Sequence, residues 1–316
     1  ETTQKYGGVM TEEDLANYKV EVREPVTSTY RDYTIFSLPP ASSGGTHLIQ
    51  ILNILENFDM KSFGINTAQY IHHFSEAFKM AFADRAKYMA DTAFAKVPLK
   101  GLTSKEYAKT LADKITDKSQ EYKADDPGLY ESASTTSFSV VDKDGNMVAC
   151  TQTINDFYGN KVAIKGYGFI MNDEMDDFSK GLQDANRAEG GKRPLSSMCP
   201  SIVLYPDGTP YLTIGTPGGV RIFPTIAQVL ERMIDFDMDV QDAINTARIF
   251  DNASKNVCYE SDGVTPVTAA VVDEIKAMGH EVTDKGAWNL FFGGVQGIEI
   301  KKDGTLHAGA DPRRDG

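Results

Sequence analysis

The chain has 316 residues, 41% of them hydrophobic, enough to bury one large core or two smaller ones and too many for a disordered or fibrous protein. A formal net charge of −13 repels a polyphosphate backbone, and no basic run offsets it, so nucleic acid is excluded as a partner. No apolar stretch approaches the roughly 20 residues that a membrane helix needs, and no charged-then-apolar leader precedes the first motif.

Thr11 followed by Glu12-Glu13-Asp14 predicts an N-cap and a helix of about two turns. Tyr33 to Phe36 reads as a strand. The Pro39-Pro40 break and Ser42-Ser43-Gly44-Gly45 then lead into an apolar-periodic helix over His47 to Leu55, an ordinary helix start rather than an anion site. Ala68 to Met89 and Ser104 to Lys118 carry helical periodicity, which makes the first 125 residues mainly α. On the first of these helices His72, His73 and Glu76 lie at metal-ligand spacing. No third site accompanies them and the zincin pattern is absent, so a surface or interfacial helix is expected and no metal.

Beyond residue 135 the pattern changes to hairpins. Ser137 to Val141 and Met147 to Ile154 flank Asp144-Gly145-Asn146; Ile202 to Tyr205 and Tyr211 to Ile214 flank Pro206-Asp207-Gly208; Val295 to Ile300 and Leu306 to Gly309 flank Asp303-Gly304. Asp142, Asp144 and Asn146 imitate the start of a calcium loop, but Met147 stands where that loop demands glycine, which leaves a hairpin turn. Helices are predicted from Pro224, from Asp239 to Arg248, and from a Thr265 cap with Pro266 in the first turn to Gly279. Blocks of hairpins and helices together define an α+β fold with helices covering antiparallel sheet. Cys150, Cys199 and Cys258 form no CxxC pair and read as small buried hydrophobes. No nucleotide loop or serine-hydrolase elbow is present, so no cofactor is expected.

Five segments in order carry a resemblance: Gly8-Val9-Met10-Thr11-Glu12-Glu13-Asp14-Leu15, Pro39-Pro40-Ala41-Ser42-Ser43-Gly44-Gly45, Thr135-Thr136-Ser137-Phe138-Ser139, Lys192-Arg193-Pro194-Leu195-Ser196-Ser197-Met198 and Thr216-Pro217-Gly218-Gly219. Together the chain resembles the γ-glutamyltranspeptidase family of N-terminal-nucleophile hydrolases. The resemblance implies a four-layer αββα sandwich. Residues 1–134 would be the C-terminal, mainly helical part of the large subunit and 135–316 the small catalytic subunit, the two forming one structural domain. It also implies that the early large subunit precedes Glu1, that the chain stops a few residues short of the family's usual end, and that the protein is periplasmic or extracellular.

Alone, Thr135-Thr136 would be an ordinary β-enriched pair. Under the resemblance, self-cleavage between Ser134 and Thr135 frees a threonine whose own α-amine, with a reference pKa of roughly 7.7–8.0, can take its hydroxyl proton. Thr153, on the strand paired with the one Thr135 begins, matches the threonine that orients the nucleophile. Asn155, two residues on and expected on the same strand face, matches a substrate contact. Gly218 and Gly219 match the oxyanion hole, where backbone N–H groups stabilise the tetrahedral intermediate. A γ-glutamyl group carries an ammonium and a carboxylate at its far end; Glu174 and Asp177 match the ammonium site, Ser196 and Ser197 the carboxylate site, and the remaining carboxylate partner is an arginine of the early large subunit.

The activity implied is hydrolysis of glutathione and other γ-glutamyl amides, or transfer to an acceptor amino acid, through a γ-glutamyl ester on Thr135. An unprocessed binding scaffold, a poly-γ-glutamate hydrolase and a β-lactam acylase on the same fold are the alternatives. Ser137 and Asp156 depart from the family pattern without a role to transfer. The twelve residues Lys180 to Gly191 make a shorter loop than the lid of many relatives, which predicts an open pocket that admits bulky or polymeric γ-glutamyl chains.

Overall fold

The computed structural model describes residues 1–122, 135–181, 183–314 and 316. The chain opens with α1 (Thr2–Lys5) and α2 (Glu12–Asn17), both without a buried residue. Thr11 caps α2 as expected: its hydroxyl accepts the Asp14 amide at 3.2 Å while the Asp14 carboxylate accepts the Thr11 amide at 2.7 Å.

Six antiparallel strands form the main sheet, in the order β1 (Val26–Tyr30), β2 (Tyr33–Ser37), β5 (Ser201–Leu204), β6 (Pro210–Gly215), β10 (Gln296–Ile300) and β11 (Leu306–Ala310). A separate hairpin pairs β3 (Thr136–Val141) with β4 (Met147–Gln152). All three predicted hairpins are present. The Asp142 carboxylate closes the β3–β4 turn by accepting the Asp144 and Asn146 amides, each at 2.9 Å, so the acidic triplet is the hairpin turn and no calcium loop. A fourth hairpin, β1–β2, turns through Arg31 (φ 47°) and Asp32 (φ 69°).

One face of the main sheet carries α3 (Gly44–Leu55) against β1 and β2 and α8 (Ile222–Asp235) against β6; α5 (Ala68–Tyr88) packs on α3, and the shorter α4 (Met60–Phe63), α6 (Leu99–Leu102) and α7 (Lys105–Ala112) lie against α3 or α5. Every residue of α3 is buried, and three of its polar residues are paired: His47 Nδ1 with Gln50 Oε1 at 2.7 Å, Gln50 Nε2 with the Asp84 carboxylate at 2.5 Å, and Asn53 Nδ2 with the Thr103 carbonyl at 2.9 Å. The helix starts at Gly44, three residues before the expected His47, and its first turn sits tightly against the chain. A Cβ on Gly44 would collide with the Met198 and Ser197 carbonyls, and one on Gly45 with the Leu38 carbonyl.

Three other boundaries move. α7 ends at Ala112 rather than Lys118, α9 (Val240–Asn245) ends before the extended Thr246, and α10 (Ala269–Ala277) is capped by Thr268, not Thr265. Thr265 has φ 49°, incompatible with a cap, whereas the Thr268 hydroxyl accepts the Val271 amide at 3.4 Å. A parallel pairing of β8 (Asn256–Tyr259) with β9 (Glu281–Asp284), beside β7 (Ile249–Phe250), was not legible in the hairpin pattern, because α10 makes the crossover.

The β3–β4 hairpin lies on the other face of the main sheet. Ser139 Oγ donates to the Thr213 and Gln296 carbonyls, each at 3.2 Å, and Thr213 Oγ1 donates to the Val148 carbonyl at 2.9 Å. Thr135, one residue before β3, is thereby held at the edge of a helix–sheet–sheet stack.

Candidate active site

The site is assembled along a chain of short contacts. Thr136 pairs with Gln152, so Thr135 falls opposite Thr153, and the Thr135 hydroxyl donates to Thr153 Oγ1 at 3.3 Å. Thr135 is buried. Thr153 Oγ1 also accepts the Asn155 amide at 2.9 Å. That bond turns the chain out of the ladder: β4 stops at Gln152, and Asn155 has φ 69°. Thr153 and Asn155 therefore lie beyond the strand, and strand alternation does not set the direction of Asn155 as the sequence pattern suggested.

Residues 154–156 are laced to the next element. Asp173 donates its amide to the Ile154 carbonyl at 3.2 Å, and its carboxylate accepts the Asp156 amide at 2.9 Å. This seats the 3₁₀ turn Glu174–Asp177 beside Thr153 and Asn155. Burial, and then the neighbouring Glu174 carboxylate, push the Asp177 carboxyl up to about 8, with the Arg85 guanidinium opposing. The two half-buried acids stand side by side, with the Arg85 guanidinium near enough to favour the ionised Asp177.

Arg85, near the end of α5, is buried. Its Nε donates to Ser43 Oγ and its Nη2 to Ser197 Oγ, each at 3.0 Å. Ser43 in turn donates its amide and its hydroxyl to the Ser196 carbonyl, both at 2.8 Å, while Ser196 Oγ accepts the Met198 amide at 3.1 Å. Asp177, Glu174, Arg85 and Ser197 thus form one polar group, with Ser196 behind the same backbone bridge. Sequence reading missed Arg85 and Ser43. The available signal was an arginine three residues after Phe82 and seven after Phe78, on the buried stripe of α5 where a charge is out of place unless paired.

Gly218 (φ 144°) and Gly219 (φ 56°) form the turn that opens into α8. The turn is wedged by Gly293 (φ 89°), where a Cβ would stand 2.6 Å from the Pro217 carbonyl oxygen and 2.7 Å from Thr216 Oγ1. Thr135 and Pro217 line one cleft of about 430 Å³ together with Gly294 and Gln296. Thr153, Asn155, Glu174, Asp177, Ser196, Ser197, Gly218 and Gly219 do not line that cleft, which opens on the β10–β11 side of Thr135.

The loop from Lys180 to Gly191 folds onto its own root. Asn186 Nδ2 donates to the Asp177 carbonyl at 2.7 Å, Asn186 Oδ1 accepts the Leu195 amide at 3.1 Å, and Lys192 Nζ donates to the Ala185 carbonyl at 2.7 Å.

Away from this site, His72, Glu76 and His280 bring their ligand atoms within 4.8 Å of one another. This corrects two expectations: a third ligating residue does accompany the pair, and the face of α5 that carries them is buried, not surface. The cluster satisfies itself. His72 Nδ1 pairs with His280 Nε2 at 2.8 Å and His72 Nε2 with the Thr116 carbonyl at 2.6 Å, while the Lys79 ammonium already sits on the Glu76 carboxylate. A cation would have to displace that ammonium, so the trio reads as a structural polar knot.

With the geometry established, similarity to known proteins gives the class. The chain matches the γ-glutamyltranspeptidase family along residues 1–316. It is 42% identical to the glutathione hydrolase proenzyme of Escherichia coli K12 across 98% of this chain and 54% of that protein, and 38% identical to the acylase ACY 1 proenzyme of Pseudomonas sp. SE83 across 98% and 54%. Its fold superposes on the cephalosporin acylase of Bacillus halodurans with a TM-score of 0.88 at 27% identity, covering 99% of this chain and 55% of that one. The fold is the α+β sandwich of N-terminal-nucleophile hydrolases. The chain belongs to the γ-glutamyltranspeptidase family, and it spans about half the length of the curated relatives it matches.

Proposed function

We propose that the full-length protein is a γ-glutamyl hydrolase and transferase whose nucleophile is Thr135, released by self-cleavage after Ser134, a residue outside the described ones. The observation that carries this reading is the 3.3 Å hydroxyl pair of Thr135 and Thr153 at the first step of β3, in a chain of this family. Thr153 accepts the Thr135 hydroxyl hydrogen and so fixes the side-chain rotamer from which Thr135 Oγ1 attacks. The freed α-amine then takes the hydroxyl proton as Oγ1 bonds to the γ-carbonyl carbon. Charge develops on the carbonyl oxygen, and the amides of Gly218 and Gly219 at the start of α8 are the donors we assign to it. Collapse breaks the C–N bond, the amine leaves with the proton, and a γ-glutamyl ester remains on Thr135. Water or an acceptor amine attacks the ester by the reverse proton path.

Glu174 and Asp177 suit the substrate ammonium, with Asn155 beside them, and Ser196 and Ser197 suit its carboxylate. The arginine completing the carboxylate site would come from the preceding part of the large subunit, a partner that this reading requires. We place residues 1–134 with that subunit, 135–316 as the catalytic subunit, and the protein in the periplasm or outside the cell. The loop folded on its own root supports access for polymeric γ-glutamyl chains.

The acylase relatives supply a second reading, deacylation of a β-lactam side chain. The paired acids at 174 and 177 favour the first, because a bound ammonium lets both ionise side by side, whereas an acyl group without one leaves Asp177 holding its proton. The test compares two anilides, γ-glutamyl and glutaryl, which differ only in the ammonium. Faster turnover of γ-glutamyl anilide is expected, and equal or faster turnover of the glutaryl compound would favour acylase activity.

A further inference from the structure

We propose that Arg85 is a positioning residue that sets the hydrogen-bond direction of Ser197: by donating to one lone pair of Ser197 Oγ it turns the hydroxyl hydrogen away from itself and leaves it to be donated to the substrate carboxylate. The inference rests on the reading of Ser197 as part of the carboxylate site.

A guanidinium carries five N–H donors and no acceptor. In the bond between Arg85 Nη2 and Ser197 Oγ the serine must therefore accept. Its single hydroxyl hydrogen cannot point back at Arg85 and is turned toward whatever lies on the other side. Ser43 shows the same polarity in a completed form: its Oγ accepts from Arg85 Nε and donates to the Ser196 carbonyl. One planar group thus sets two hydroxyls at once, through the two bonds of a rigid fork, and a lysine ammonium could not hold both in that geometry. Both arginine and serine are buried, so water does not compete freely for these bonds.

The consequence is a serine that discriminates. A hydroxyl free to rotate can donate to a carboxylate or accept from a carboxamide N–H. With one lone pair engaged by Arg85 and its hydrogen directed away from the guanidinium, Ser197 is preset as a donor, and a charged carboxylate accepts that hydrogen bond more strongly than a neutral carboxamide oxygen does. Arg85 also lies close enough to Asp177 to favour the ionised carboxylate there. The same guanidinium therefore supports the acceptor of the substrate ammonium and the donor to the substrate carboxylate.

The experiment uses the full-length protein with two donor substrates, γ-glutamyl anilide bearing its free α-carboxylate and the same anilide with an α-carboxamide. The ratio of kcat/KM values is measured for the wild type, Arg85→Lys, Arg85→Gln and Ser43→Ala. The wild type is expected to prefer the carboxylate. In Arg85→Lys and Arg85→Gln the preference should fall about tenfold or more, chiefly through KM for the carboxylate substrate, the order expected when a hydrogen bond to a charged group is lost. Ser43→Ala should fold as the wild type and lose less. A merely structural role would reduce both substrates in parallel and leave the ratio unchanged in every folded variant, which overturns the proposal. A wild type that does not distinguish the two substrates overturns the carboxylate-site reading itself, and the proposal with it.

Discussion

Asp177 should make ligand binding strongly dependent on pH in a window, pH 6 to 8, where an ordinary carboxylate site is already ionised and flat. Burial and the Glu174 carboxylate hold its carboxyl up at about 8, so the empty pocket carries a proton that an incoming ammonium must displace. With such a value the group is ionised in about one molecule in a hundred at pH 6, about one in ten at pH 7 and about half at pH 8. L-Glutamate keeps its α-ammonium and both carboxylates charged across that window. Its dissociation constant should therefore fall by about fifty-fold between pH 6 and pH 8 and level off above, with close to one proton released per ligand bound at pH 6.5. The assay is titration calorimetry on full-length Thr135→Ala protein, which removes chemistry and the threonine amine's own titration, in buffers of different ionisation enthalpy. Asp177→Asn should bind weakly with a flat profile. A profile flat between pH 6 and 8 in the Thr135→Ala protein, or the same slope once Asp177→Asn is added to it, would refute the assignment of the ammonium site to this pair.

Two further outcomes follow from the same structure. Thr153→Val keeps the shape but removes the oxygen that accepts both the Thr135 hydroxyl and the Asn155 amide; loss of about 1–3 kcal/mol of orientation should slow self-cleavage about 5- to 150-fold. A time course of chain fragments checks this, and an unchanged rate would contradict it. Glu231, buried in α8 and accepting the Tyr70 hydroxyl at 2.7 Å, is pushed from 4.5 up to about 8 by burial. Because the folded form holds the proton longer than the unfolded form, wild-type stability should fall by about 3–4 kcal/mol from pH 5 to pH 8 on this account alone. Glu231→Gln should remove that slope in denaturant unfolding, and a slope equal to that of the wild type would show that Glu231 is already ionised when folded.

What was legible in the sequence follows from how local the physics is. The three hairpins with Asp-Gly turns could be read because glycine in those turns announces positive φ; β1–β2 could not, because Arg31 and Asp32 adopt the same region without it. Thr11 gave its cap away through an acidic first turn, whereas Thr265 and Thr268 compete for one helix start and the backbone at Pro266 decides between them. Thr135 and Thr153 were within reach because strand register alone brings them opposite each other. Asn155 was misplaced because the bond from its amide to Thr153 Oγ1 ends the strand. The partners of Arg85, and the closure of the His72–Glu76 pair by His280, were invisible for a deeper reason. Arg85 meets Ser43 and Ser197, and His72 meets His280, only through tertiary packing, over separations that no local spacing encodes.

The central claim is that Thr135 becomes an N-terminal nucleophile. Intact mass and N-terminal sequencing of the full-length protein, purified and denatured before and after incubation with a γ-glutamyl anilide, test it directly. The account predicts two fragments, the smaller beginning at Thr135 and gaining one γ-glutamyl group when trapped during turnover. A single unbroken chain that still turns over the anilide, or an acyl group carried on any residue other than Thr135, would contradict it.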